Sequence, residues 1–204
     1  MSGYDPYRPY YEVSARRRAF DRAFTNLVAG GQLWVADHWL LFLNAAVAVY
    51  LGLAVLSPVL LANGQEAAGQ FLFQAYRYAC HQYPQRSYFI AGHQVAFCER
   101  DTAIYVTFLL AGLAYASRRG RVRPLRWWAY ALLIAPMAID GTGQLFGLWE
   151  SNWELRTVTG ALFAGPTVWF LYPYIDRTVE EMRRDALEML ARRRAEEDAE
   201  GGSP

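Results

Sequence analysis

The sequence predicts an all-α membrane protein: a four-helix transmembrane bundle with an additional re-entrant or interfacial helix on its outer side. Two observations predict this class. Of the 204 residues, 54% are hydrophobic, and yet the net charge is only +1, so the charged residues must be segregated rather than absent. The apolar residues fall into long runs, and inside hydrocarbon such runs must form helices, because their backbone groups can find no water there. The near-neutral charge gives no case for nucleic-acid binding.

The four apolar runs are long enough, or extendable enough, to cross a bilayer, which needs about 20 residues. They cover 39–62, 102–117, 127–149 and 155–174. Tryptophan and tyrosine side chains lie near their ends, as expected where aromatic residues mark the membrane interfaces. The third run is interrupted by one carboxylate, Asp140.

The placement of arginine predicts the orientation of these runs. Segment 118–126 contains five arginines and no acid, and a second arginine cluster lies at 16–22, before the first run. By the positive-inside rule, both clusters face the cytoplasm. Four crossings then place both termini in the cytoplasm and the loops 63–101 and 150–154 outside. We expect the protein in the plasma membrane.

This topology divides the chain into three parts. Residues 1–38 form a cytoplasmic tail with a basic amphipathic helix, 39–174 form the transmembrane domain, and 175–204 form a charged cytoplasmic helix and tail. The alternating charges of the last part favour a solvated extension of the fourth helix, with a helix-pairing surface as the alternative.

Residues 66–83 are ambiguous. Their aromatic residues indicate a helix, but polar side chains follow one stripe: Glu66, Gln70, Gln74, Arg77 and His81. A fifth crossing here would place one arginine cluster outside. We therefore predict a re-entrant or interfacial outer helix over about 66–83.

The predicted outer loop and the start of the second run also hold five residues that can ligate a metal or act as acids and bases: Cys80, His81, His93, Cys98 and Asp101. These residues have three interpretations. Thiolate, imidazole and carboxylate ligands suit zinc; Cys80 and Cys98 alone would form a disulfide outside the cell; or the thiols are buried and inert. The spacing matches neither a zinc finger nor a redox Cys-x-x-Cys, so all three interpretations stay open.

A second polar group is predicted around Asp140, since a carboxylate within a membrane span is costly and indicates a functional site. Gln144 lies one turn further out on the same face, and Asn152, Arg156 and Thr159 follow across the short outer turn. One interpretation is a structural salt bridge between Asp140 and Arg156. The other is an outer pocket in which Arg86, Arg100 or Arg156 holds an anionic lipid head group.

These residues together resemble a known family. The shared pattern comprises Cys80-His81-Gln82-x-Pro84-x-Arg86-Ser87, Gly92-His93-Gln94, Cys98-x-Arg100-Asp101-x-x-Ile104-Tyr105, Pro136-x-x-x-Asp140, Gln144 and Ser151-Asn152-x-x-Leu155-Arg156-x-x-Thr159-Gly160. It is similar to the bacterial and archaeal membrane-protein family called domain of unknown function 2085, over roughly residues 70–170. The resemblance implies a multi-pass membrane protein and brings no activity with it. Many members have Cys-x-x-Cys where this chain has Cys98 and Asp101, and these thiol-rich variants favour a metal site over a single disulfide.

Two function classes follow. In the first, which we favour, a zinc-type site structures the outer loop of a non-enzymatic protein with an assembly, accessory or structural role, in a homo-oligomer or with a membrane-complex partner. In the second, the protein is a membrane-embedded metal-dependent hydrolase. Asp140 or Asp101 would be its general base, and an anionic lipid or polyprenyl-linked substrate would lie on Arg86, Gln144, Asn152, Arg156 and Thr159.

Overall fold

The computed structural model describes residues 14–201, and most of them are helical. The helices are α1 (Ala15–Ala62), α2 (Glu66–Ala75), α3 (Glu99–Ser117), α4 (Trp127–Leu145) and α5 (Trp153–Gly201), and the strands are β1 (Ser87–Ile90) and β2 (His93–Cys98). The chain forms two compact units: His38–Arg177, and the described parts of Met1–Asp37 with Thr178–Pro204.

Each of the four apolar runs of the sequence falls on one long helix, but α1 and α5 extend well beyond their runs, and α4 ends at Leu145 rather than at residue 149. α3 and α4 have 19 residues each, which at about 1.5 Å per residue is close to the ~30 Å thickness of the hydrocarbon core. Among residues 14–201, one helix combines the length and the apolar composition of a membrane span, over Arg16–Ala62. α3 is less apolar because it begins with Glu99, Arg100 and Asp101.

Within His38–Arg177, α5 contacts each of the other long helices. The ring of Tyr172 packs edge-on against Trp39 of α1 and Tyr115 of α3, with centroids 5.7 and 5.5 Å apart. Tyr130 of α4 stacks on Phe170, with centroids 4.6 Å apart. Aromatic pairs in these geometries stabilise a helix contact beyond the area that they bury.

The outer surfaces of the same helices are strongly apolar. Large exposed side chains occur on all four: Leu41, Val49, Leu110, Leu132, Ile139 and Leu171. A water-soluble monomer rarely exposes large apolar side chains on so many of its helices. These faces therefore have the character of surfaces that contact lipid.

The predicted outer helix is shorter than expected. α2 ends at Ala75 and is followed by one 3-10 turn, Tyr76–Tyr78, rather than continuing to residue 83. The chain leaves the helical conformation because Gln82 has φ 53° and Tyr83 precedes a proline. At 10 residues, α2 is too short to cross a bilayer. It packs on the end of α1, where the Ser57 hydroxyl donates to the Gly69 carbonyl oxygen at 3.0 Å.

The segment between α2 and α3 also contains a β-hairpin, which corrects the prediction of an all-α fold. β1 and β2 pair antiparallel, with Ile90 opposite His93. The two residues between them, Ala91 and Gly92, have φ values of 49° and 81°. A two-residue loop with both φ angles positive is the type I′ turn that joins such hairpins.

In the second unit, the described N-terminal part of α1 pairs with the C-terminal part of α5. Arg183 forms an ion pair with Asp37 at 3.2 Å, and Arg193 donates to the Thr25 hydroxyl at 3.0 Å. These contacts favour helix pairing over a fully solvated extension. The predicted N-terminal amphipathic helix is the start of α1, and the tail residues 1–13 and 202–204 lie outside the described residues.

Candidate functional site

The hairpin brings the two cysteines together. Cys80 lies in the loop after α2, whereas Cys98 ends β2 and caps the N-terminus of α3. The Cys98 backbone N–H donates to Cys80 Sγ at 3.2 Å, and the Cys98 thiol donates to Asp101 Oδ2 at 3.2 Å. The two sulfur atoms and a carboxylate oxygen of Asp101 all lie within 4.8 Å of one another.

Two glutamines hold the segments that carry these ligands. The Gln82 side chain donates to the carbonyl oxygens of Phe73 and Ala96, at 2.7 and 3.1 Å. The Gln94 side chain donates to the Gln82 carbonyl and to the Ser87 hydroxyl, at 2.8 and 2.9 Å. Because these bonds join the loop, both strands and the end of α2, the thiols are held by a connected polar frame.

The contact between the thiols separates their pKa values. A hydrogen bond from Cys98 lowers the pKa of the Cys80 thiol. The same hydrogen bond, together with burial, raises the pKa of the Cys98 thiol. Both cysteines are free in the structure. Cys80 is therefore the first of the pair to form the thiolate, which is the form that binds metal ions.

A cavity of about 270 Å³ opens beside the three ligand side chains. Its wall includes the three ligands and three arginines from different segments: Cys80, Cys98, Asp101, Arg86, Arg100 and Arg156. His81 and Gln144 also line it. The cavity therefore combines side chains that could ligate a metal with guanidinium groups that suit oxyanions.

Two of these arginines form buried ion pairs. Arg100 pairs with Asp140, and Arg156 pairs with Glu99 at 3.0 Å. The predicted bridge between Asp140 and Arg156 is therefore wrong. The first turn of α3 supplies both an acid and a base at neighbouring positions, and each meets a different helix. The sequence analysis does not predict Glu99 as an ion-pair partner. Its position directly before Arg100 is the signal that could have indicated this role.

Asp140 is fully occupied by donors. Besides Arg100, it accepts hydrogen bonds from Ser151, from the Trp149 indole N–H at 3.2 Å and from Gln144 at 3.4 Å. Its side chain is buried and is not part of the cavity wall. This setting suits an anchor for Arg100 better than the predicted general base. Asp101, the other candidate base, does line the cavity.

The two histidines lie in different places. His81 is exposed, lines the cavity and stacks on Tyr83, with ring centroids 5.8 Å apart. His93 begins β2 beside the hairpin turn and belongs neither to the group of converging ligands nor to the cavity wall. Of the two predicted imidazole ligands, only His81 lines the cavity beside the thiols, and it too lies outside the group of converging ligand atoms.

Two predicted substrate-binding residues have structural contacts instead. The Asn152 side chain accepts from the Leu155 N–H at 2.9 Å and thus caps the first turn of α5. The Thr159 hydroxyl donates to the Leu155 carbonyl of its own helix at 2.7 Å. Neither residue lines the cavity.

Comparison with known proteins gives archaeal relatives. An uncharacterised protein of Methanocaldococcus jannaschii is 41% identical over 105 residues, which are 50% of this chain and 67% of the relative. An uncharacterised protein of Methanothermobacter thermautotrophicus is 37% identical over 94 residues, 42% of this chain and 77% of the relative. No solved structure matches the chain.

The family described as "Predicted membrane protein (DUF2085)" matches residues 80–170. This range begins at Cys80 and contains the hairpin, the start of α3, both buried ion pairs and the whole of α4. With two relatives matched over most of their own length, the chain belongs to the membrane-protein family DUF2085, domain of unknown function 2085.

Proposed function

We propose that Cys80, Cys98 and Asp101 bind one metal ion, with zinc the best match. The observation that carries this proposal is the convergence of their three ligand atoms, within 4.8 Å of one another, from two segments of the chain. Two thiolates and a carboxylate are a ligand set that zinc accepts, and zinc commonly takes four ligands. His81, on the same cavity wall, is the candidate fourth ligand; water would otherwise complete the site.

The role of the metal in this proposal is structural. Cys80 belongs to the loop after α2, and Cys98 and Asp101 belong to the start of α3. An ion between them fixes the outer loop to the helices without catalysis. Asp140 already accepts hydrogen bonds from Arg100 and Trp149, so it is poorly suited to accept a proton from a substrate or water. Because Asp140 is one of only two candidate general bases, this supports the non-enzymatic assignment.

The test is the metal content of the purified full chain, measured by inductively coupled plasma mass spectrometry. We expect zinc in the wild-type protein and its loss in Cys80→Ser and in Asp101→Asn. His93→Ala is the matched control and should retain the metal, since His93 lies outside both the ligand group and the cavity wall. A wild-type protein without metal and without free thiols would instead establish the disulfide between Cys80 and Cys98.

We further propose that residues 39–174 cross the plasma membrane four times, as a helical bundle with both termini in the cytoplasm. The apolar exposed faces of α1, α3, α4 and α5 support this topology, and so does the arginine-rich loop at 118–126. The loop 63–101, with the metal site, then faces outward. Residues 1–38 and 175–204 are the cytoplasmic parts in this arrangement.

A second candidate function is a metal-dependent hydrolase that acts on an anionic lipid or polyprenyl-linked substrate. One observation favours it: the cavity beside the ligands is also lined by Arg86, Arg100 and Arg156. The Nε atoms of Arg100 and Arg156 are buried and have no hydrogen-bond partner among residues 14–201. Such donors suit a phosphate group, and Asp101 would be the base in this mechanism.

The two candidates separate in one assay. Metal-loaded protein is incubated with a polyprenyl phosphate or an anionic phospholipid, and inorganic phosphate or free lipid products are measured. Turnover that is abolished in Arg156→Gln with the metal still bound would establish the enzyme. Metal retention with no turnover on these substrates leaves the structural assignment in place.

A further inference from the structure

A groove lies between α3 and α5 at the end of the helices opposite the thiols. On the α3 side it is lined by Ala111, Ala114 and Tyr115, which share one helical face, and by Arg118, the residue directly after the helix. On α5 it is lined by Gly165 and Val168, again on one face, and its volume is about 440 Å³. The groove exists because small residues on both helices leave space between them. Its interior is apolar and of a shape that suits a hydrocarbon chain.

The end of this groove is strongly basic. Arg118 and Arg123 lie on its rim, and Arg121 and Arg177 line an adjoining cavity of about 270 Å³. In the part of the chain that the structure describes, neither Arg118 nor Arg123 has an ion-pair partner. The one carboxylate of that cavity, Asp176, is already bonded to Arg119 at 2.7 Å.

The loop that carries Arg123 is held in place by a tryptophan. The Trp169 indole N–H donates to the Arg123 carbonyl oxygen at 3.0 Å, and Trp169 itself lines the groove. Its ring is half exposed, as is usual for tryptophan at the boundary between hydrocarbon and head groups. In the proposed topology, the groove and the arginines therefore meet at the depth where a phospholipid changes from chain to phosphate.

We propose that this groove binds one anionic phospholipid, with an acyl chain along Ala111, Ala114 and Gly165 and the phosphate on Arg118 and Arg123. A neutral lipid would leave the excess positive charge uncompensated, and an isolated anion would leave the apolar groove unfilled. Basic pockets between membrane helices bind anionic head groups for the same electrostatic reason. The site is separate from the thiols and does not depend on a metal.

The test uses the full chain, purified in mild detergent after exposure to mixed phosphatidylglycerol and phosphatidylcholine vesicles. The lipid retained per protein is measured by mass spectrometry. We expect retention of phosphatidylglycerol over phosphatidylcholine. The double variant Arg118→Gln/Arg123→Gln should lower this retention about tenfold or more, since each arginine near an anionic surface contributes on the order of a fivefold preference.

Two further variants separate the site from general charge. Ala114→Leu fills the groove, keeps every arginine and should also lower the retention. The control Arg16→Gln/Arg17→Gln removes the same charge from the exposed start of α1 and should leave retention unchanged. Equal retention of the two lipids, unchanged retention in either groove variant, or an equal loss in the control would each overturn the proposal.

Discussion

At the residue scale, the first turn of α3 organises the site. Cys98 caps the helix, Asp101 is its third residue, and Glu99 and Arg100 reach to α5 and α4. Carboxylates in a first helical turn are favoured by the helix dipole. A buried pair contributes little net stability over an apolar replacement, but removing one partner leaves an uncompensated charge.

This difference gives a prediction for the arginines. Arg100→Gln should lower the free energy of unfolding by about 3–5 kcal/mol, because it leaves Asp140 buried without its charge partner. Arg86→Gln is the matched control, since its pair with Glu150 is exposed, with side chains 33% and 70% accessible. Its loss should be no more than about 1 kcal/mol. Unfolding in detergent measures both; equal losses would contradict the assignment of the buried pair.

The sequence predicted the residue types of the site better than their partners. Cys80, His81, His93, Cys98 and Asp101 are the candidate metal ligands in the sequence, and the structure brings the ligand atoms of three of them, Cys80, Cys98 and Asp101, within 4.8 Å of one another. The partner of Arg156 was not predictable, because spacing along one helix does not fix its rotation against a neighbour. For this reason Arg156 pairs with Glu99, whereas the sequence offers Asp140 as its partner.

At the element scale, the β-hairpin and the close contact of α3 with α5 position the site. The four long helices were predictable from their apolar runs, which need no partner to be recognised. The hairpin was not predicted, because its turn is Ala91-Gly92 rather than the Asn-Gly or Asp-Gly that signals a type I′ turn. Residues 93–98 also give no clear strand pattern, because His93 and Cys98 stand at the two ends of the segment.

The close contact of the helices depends on Gly160. A Cβ atom there would lie 2.9 Å from the Arg100 carbonyl oxygen, a backbone atom that cannot move cheaply. Gly160→Ala should therefore destabilise the protein by about 1–3 kcal/mol. Gly165→Ala on the same helix is the control, because its Cβ would lie 3.6 Å from the Thr107 methyl, an ordinary contact. If thermal unfolding midpoints fall equally for both variants, the close approach at Gly160 is not what holds these helices together.

At the scale of the whole molecule, the proposed topology places the two ends of the helices on opposite sides of the membrane. The thiols lie at the hairpin end, whereas the arginines of 118–126 lie between α3 and α4 at the other end. The sequence predicts this arrangement from charge and hydropathy alone. The 19-residue lengths of α3 and α4 agree with it.

Surface labelling in intact cells tests the topology. Gln65→Cys, in the exposed turn between α1 and α2, should react with a membrane-impermeant maleimide. Ala195→Cys, on the exposed C-terminal part of α5, should react only after the cells are lysed. The wild-type chain gives the background from Cys80 and Cys98, of which Cys80 is only 5% exposed. Labelling of Ala195→Cys in intact cells, or protection of Gln65→Cys, would refute a cytoplasmic C-terminus with an outward loop.

X-ray absorption at the zinc edge of the purified protein reports the ligands of the proposed metal site themselves. We predict two sulfur scatterers at about 2.3 Å and lighter nitrogen or oxygen scatterers at about 2.0–2.2 Å, as for zinc held by two thiolates, a carboxylate and one further ligand. Cys98→Ser should reduce the sulfur count to one. A protein that binds no metal, or whose metal has only light scatterers, would contradict the assignment of Cys80, Cys98 and Asp101 as its ligands.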